Sequence, residues 1–141
     1  MKILLPLLLM FSLAFSAQID EFASELNYSR DYNSALKDAK ETNKLLMLVT
    51  VGDYCPWCKK FERKTLSSKN IKSKVSKDVV PLIIDNSKDR GNYPEEFYTQ
   101  RIPTVLFIDP KTQKSIHKTL GYTKKKEFLK DIDSALNKYK K

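Results

Sequence analysis

The sequence predicts an α/β fold: a mixed central sheet in one domain, with helices on both faces. Three observations predict it. Apolar runs of strand length recur at residues 45–51, 79–85 and 103–108. Segments with helical periodicity lie between them. A turn and a further strand then follow directly, before a last amphipathic stretch. Helices alternating with strands bury their apolar faces by layering over both sides of a sheet. The length of 141 residues suits one such domain.

Each element has its own reason. Lys2 precedes an almost unbroken apolar run over 3–15, followed by Ser16 and Ala17. The run falls short of the roughly 20 residues a spanning helix needs. It reads as a secretory signal peptide over 1–17, cut after Ser16 or Ala17, leaving a domain over 18–141. Residues 18–29 form a lead-in without a strong period. Residues 31–43 read as a helix, with Tyr32, Ala35, Leu36 and Ala39 on one face. The continuous run 45–51 is what a strand buried on both faces looks like, and Gly52 and Asp53 end it. Pro56 suits the first turn of a helix reaching about Leu66, with a second helical stretch over 68–76. The next strand, 79–85, carries Pro81, which places an incompletely paired edge there. A short helix is expected within 93–101. A third strand ends at Asp109-Pro110, a type I turn signal, and a hairpin partner follows over 115–120. After Gly121, Thr123 is placed to cap a final helix with Phe128, Leu129, Ile132, Leu136 and Tyr139 on its apolar face.

Composition narrows the function. Lysine and arginine number 26 against 17 acids, giving a formal charge of +9. Only Arg30, Arg63, Arg90 and Arg101 are arginine. Bidentate phosphate and base recognition leans on arginine, so the excess reads as a lysine-rich solvated surface, and no nucleic-acid partner is expected. The two cysteines, Cys55 and Cys58, exclude a disulfide-stapled scaffold and a four-cysteine zinc site. The lone His117 falls on the last strand and reads as an exposed strand residue.

The chemistry concentrates at Cys55-Pro56-Trp57-Cys58. Cys55 follows a buried strand and opens a helix, where unpaired N–H groups and the helix dipole favour a thiolate. Cys58 lies one turn on and can close a ring with it. A structural disulfide gains little loop entropy over so short a span. A half metal site lacks ligands, and neighbouring thiols do not stay inert in an oxidising compartment. Redox activity is the reading that position and spacing support together.

With Ile102-Pro103-Thr104 before a buried strand, and Gly121-Tyr122 after the hairpin, the pattern resembles the thioredoxin family over about residues 31–136. It is also similar to the thioredoxin-like domains of periplasmic disulfide reductases. Residues 58–67, 102–109 and 120–122 carry that closer likeness. The resemblance implies a cis Pro103 packed against the dithiol, and an Ile102 backbone that pairs with a substrate strand. The expected protein is an exported, periplasmic thiol:disulfide oxidoreductase, working as a reductase of protein disulfides. Its catalytic residues would be Cys55 and Cys58, tuned by Pro56 and Trp57, with Ile102, Pro103, Tyr54 and Tyr122 at the substrate. No metal and no cofactor beyond the dithiol is called for. A separate membrane electron donor or acceptor and a monomeric state are expected. One departure stands out. The buried acid that thioredoxin carries on the strand before its dithiol is matched here by Val49. Two alternatives remain open at the level of sequence: a thiol oxidase or isomerase of the same fold, and a non-catalytic binding module or chaperone.

Overall fold

The computed structural model describes residues 18–141. The leader reading of 1–17 and its cleavage lie outside the described residues. The elements run α1 (Gln18–Leu26), α2 (Tyr32–Thr42), β1 (Leu45–Val51), α3 (Pro56–Phe61), α4 (Lys69–Asp78), β2 (Val79–Asp85), β3 (Thr104–Asp109), β4 (Lys114–Leu120) and α5 (Lys125–Tyr139). A π-helical turn over Glu62–Leu66 continues α3, and a 3-10 turn spans Glu95–Phe97.

The sheet order is β2-β1-β3-β4. β1 is parallel to β2 and antiparallel to β3, and β4 is antiparallel to β3. Every residue of β1 is buried, as an unbroken apolar run at the sheet centre requires. Pro81 sits on β2, the edge strand, where its missing N–H interrupts no inner ladder. Two cores follow from the alternation along β1. Leu45, Met47, Val49 and Val51 face α1, α3, α4 and α5 with Phe61, Phe107, Phe128 and Ile132. Leu46 and Leu48 face α2 and the 93–98 segment.

α2 is the helix expected for 31–43. Asp31 is its N-cap, accepting from the Ser34 amide at 2.7 Å, and all four residues of the expected apolar face are buried. Three expectations need correction. The lead-in is a helix: Ile19, Phe22, Ala23 and Leu26 follow i, i+3, i+4, i+7 spacing and pack on the larger core. The 93–101 segment makes only the single 3-10 turn, because Pro94 delays its start and Tyr93, Phe97 and Tyr98 are spent anchoring it to the smaller core. Lys124, not Thr123, is the N-cap of α5; the Thr123 hydroxyl turns back to the Gly121 carbonyl at 3.3 Å.

Arg30 fastens α1 to the sheet. Its guanidinium donates to the Ile83 carbonyl at 2.6 Å, to Asp89 at 2.8 Å and to Asp20 of α1 at 2.8 Å. Charge-assisted hydrogen bonds of this kind stabilise by about 1.5–3 kcal/mol. Arg30→Met is therefore expected to lower urea stability by about that amount. A midpoint unchanged from the parent would contradict this role.

Topology decides where the functional end lies. Thr50, near the end of β1, pairs with Thr104, the first residue of β3. Thr104 also pairs with Leu120, the last residue of β4. Three loops therefore leave or enter the sheet at one end: the one bearing Cys55, the one bearing Pro103 and the one bearing Gly121-Tyr122.

Candidate active site

Cys55 is the N-cap of α3, with Pro56 in the first turn. Proline costs nothing there, because the first helical N–H has no partner within the helix. The Cys55 sulfur accepts from the Cys58 amide at 3.1 Å, and the Lys59 amide closes onto the Cys55 carbonyl at 3.1 Å. The two cysteines are joined as a disulfide with Cα atoms 5.2 Å apart. Their exposure is unequal. Cys58 is buried at 1%, while Cys55 is half-buried at the surface. In the reduced state the donor at 3.1 Å and the helix dipole both favour negative charge on Cys55.

The other two loops are tied to this one. The Ile102–Pro103 bond is cis, and the Ile102 carbonyl lies 4.0 Å from the Cys55 sulfur. Gly52 makes room for that approach, since a Cβ there would stand 2.8 Å from the end of the Ile102 side chain. The Gly121 amide donates to the Pro103 carbonyl at 2.8 Å, with Gly121 at φ +77°, a conformation suited to glycine. The Thr65 hydroxyl donates to the Thr123 carbonyl at 2.6 Å, fastening this loop to the π turn. Tyr122 is thereby set against Trp57, ring centroids 5.8 Å apart.

Trp57, Arg101, Ile102, Pro103, Gly121 and Tyr122 line one open groove of about 400 Å³ beside the disulfide. Tyr54 does not join Tyr122 there. It is fully exposed, holds a φ of +53°, and lines a separate hollow with Gln18, Asp53, Cys55, Pro56 and Lys59. Tyr54 and Tyr122, both expected at the substrate, thus line two separate hollows.

Val49 is fully buried and supplies no acid to the strand before the dithiol. An acid nevertheless lies close by. Glu62 stands four residues beyond Cys58, so it shares that face of the helix. It is 6% exposed, with Lys59 Nζ 3.7 Å from its carboxylate. Sequence reasoning misses it. The available signal is its spacing from Cys58 and its position next to Phe61, within a run that closes on Leu66. Burial pushes the Glu62 carboxyl above its ordinary range, and the Lys59 ammonium partly offsets this. A carboxyl with a raised folded pKa binds its proton more tightly folded than unfolded. That contribution is present below the unfolded value and is lost as pH rises through the folded one. Glu62→Gln in the oxidised protein is thus expected to gain stability relative to the parent as pH rises from about 4 to 7. Thermal melts across that range test it; a pH-independent difference would contradict it.

His117 is not an exposed strand residue. Its ring packs on Phe107 at 5.8 Å, with Nε2 3.2 Å from Asp131 and Nδ1 3.0 Å from Lys138 Nζ, so it joins β4 to α5. Among the described residues no group of three or more His, Cys, Asp or Glu is arranged to hold a metal ion. No described helix is long and apolar enough to cross a membrane.

A thioredoxin-like family profile matches residues 27–110, more than half of the chain. The chain belongs to the thioredoxin-like family. Among curated proteins it is similar to the anterior gradient protein 2 homolog of Homo sapiens, 24% identical over 115 residues. That alignment covers 82% of this chain and 64% of the human protein, so the chain spans less than two thirds of that relative's length. Among solved structures it is similar to a thioredoxin from Thermus thermophilus, with TM-score 0.67 and 19% identity over 76% of this chain and 85% of that one. A DsbH oxidoreductase gives TM-score 0.64 and 23% identity, covering 77% and 83%. The oxidised C-terminal domain of DsbD from Neisseria meningitidis gives 0.60 and 20%, covering 77% and 98%. At these identities the likeness is one of fold. A thioredoxin-like fold carrying a Cys-X-X-Cys pair supports thiol:disulfide oxidoreductase activity.

Proposed function

We propose that this chain is an exported thiol:disulfide oxidoreductase that works as a reductase of protein disulfides. One observation carries the reading. Cys55 caps a helix at the surface, bonded to a buried Cys58, where the Pro103 and Gly121-Tyr122 loops converge.

The mechanism follows from that asymmetry. In the reduced protein the Cys55 thiolate attacks a substrate disulfide. The substrate S–S bond breaks, a Cys55–substrate disulfide forms, and the first substrate thiolate leaves to take a proton from solvent. Cys58, as thiolate, then attacks Cys55. The Cys55–Cys58 bond re-forms and the second substrate thiolate leaves, protonated in turn. Two electrons pass to the substrate, and the protein ends oxidised. A separate dithiol donor must reduce it again, and the expected source is a membrane electron donor. Pro56 and Trp57 shape access to Cys55. The Ile102 backbone and Pro103 border the path of an extended substrate, in the manner of β-augmentation.

One electrostatic feature, buried Glu62, favours the reducing direction. A group that stabilises the thiolate state makes a dithiol more oxidising. Here the helix end and Lys59 act that way, but the buried Glu62, once ionised, opposes a second negative charge one turn from Cys58. The leader reading of 1–17 supports export.

The test uses both directions. Reduced protein is expected to reduce insulin disulfides, with dithiothreitol sustaining turnover well above the uncatalysed rate. Oxidised protein is expected to be poor at introducing disulfides into a reduced, unfolded protein. Efficient oxidation with no catalysed insulin reduction would reverse the direction.

A further inference from the structure

The groove beside the disulfide carries two cations that the redox mechanism does not use. Lys60 Nζ lies 5.1 Å from the Trp57 ring centroid and 4.8 Å from that of Tyr122. It is exposed, but held over the aromatic pair. Arg101 is exposed and lines the same groove, directly before the Ile102-Pro103 pair. Among the described residues neither has a carboxylate partner. The nearby acids are already engaged: Asp53 pairs with Lys88, and buried Glu62 pairs with Lys59. Two cations thus border the groove: Arg101 lines it, and Lys60 lies over two of its lining rings, Trp57 and Tyr122.

We propose that this groove selects substrates whose reactive cysteine is flanked by an acidic residue, read by Lys60 and Arg101. The occupant is an extended cysteine peptide. Its acidic neighbour sits between the two cations, and its backbone runs along Ile102. The Trp57–Tyr122 pair holds Lys60 in place, so the carboxylate meets a pre-positioned charge. Such charges speed encounter with complementary partners and slow it with like-charged ones. The inference rests on the redox reading and names the substrate class for that site.

The experiment uses three pentapeptides, each carrying a central cysteine in mixed disulfide with 2-mercaptoethanol. They differ only in having Glu, Gln or Lys beside the cysteine. Reduced protein is mixed with each, and oxidation of the dithiol is followed through Trp57, the only tryptophan. The expected order is Glu over Gln over Lys. The Glu to Lys rate ratio should be about five-fold or more at low salt and shrink towards one in 0.5 M salt, where the screening length is only a few ångströms. Lys60→Gln and Arg101→Gln should each lower the ratio, and the double variant should bring it near one. Lys111→Gln removes the same charge at the opposite end of the sheet and should leave the ratio unchanged. Equal rates for the three peptides, or an equal drop in the ratio with Lys111→Gln, would overturn the proposal. Failure of all three to oxidise the reduced protein would instead overturn the redox reading beneath it.

Discussion

Cys55→Ala is expected to abolish disulfide reduction, whereas Cys58→Ala is expected to accumulate a covalent adduct with substrate. The two sulfurs differ in access and so in role. Cys55 is half-buried at a helix N-terminus, while Cys58 is 1% exposed behind it. A protein disulfide therefore reaches only Cys55. Without Cys55 no nucleophile remains at the surface. Without Cys58 the first exchange still proceeds, but nothing inside the protein resolves the mixed disulfide. On a non-reducing gel the Cys58→Ala variant should run as a higher-mass species that dithiothreitol dissolves. Cys55→Ala should form none. Full insulin-reducing activity in Cys55→Ala would contradict the assignment. Partners held by Cys58→Ala without a covalent bond would point to a binding module on the same scaffold.

Phe128→Ala is expected to have the largest effect on stability. Phe128 is fully buried on α5, edge-on to Phe61 at 5.2 Å and 6.4 Å from Phe107. It joins α5 to the helix that carries Cys58 and to the inner strand β3. Truncating a buried phenylalanine costs about 3–5 kcal/mol, through lost transfer free energy and an unfilled cavity. For a domain of this size that lowers Tm by about 10 °C or more. Phe128→Leu should lose much less, because most of the volume is kept. A Phe128→Ala melt within a few degrees of the parent would show that α5 is not the support described here.

The sheet and the dithiol are legible in the sequence for the same reason. A strand buried on both faces must be apolar throughout, and β1 announces itself as Leu45–Val51. A Cys-X-X-Cys that follows such a strand and opens with a proline is placed to cap a helix. What one sequence hides is burial that tertiary packing alone decides. Glu62 reads as one more charged residue among Lys59, Lys60 and Arg63. It is buried because the π turn folds it under the helix, with Thr65 and Leu66 buried alongside. α1 carries helical spacing at Ile19, Phe22, Ala23 and Leu26, but it is short and only Ala23 is buried outright. Tyr54 and Tyr122 look like one rim because both neighbour the site in chain order. Tyr54 instead holds a left-handed backbone and lines a different hollow. Its fully exposed ring has no packing role that would explain a conformation disfavoured for a bulky residue.

The reduction potential of the Cys55–Cys58 pair decides whether this dithiol donates or accepts electrons. The protein is equilibrated with dithiothreitol or glutathione buffers at fixed pH, and its redox state is read from Trp57 fluorescence and thiol alkylation. Dithiols of this fold run from about −270 mV for thioredoxin to about −120 mV for a strong oxidant, a span of about 7 kcal/mol. A reductase whose thiolate is opposed by a buried Glu62 should lie near the thioredoxin end. A value near the oxidant end would contradict a reducing role and make this dithiol an acceptor of electrons from its substrates.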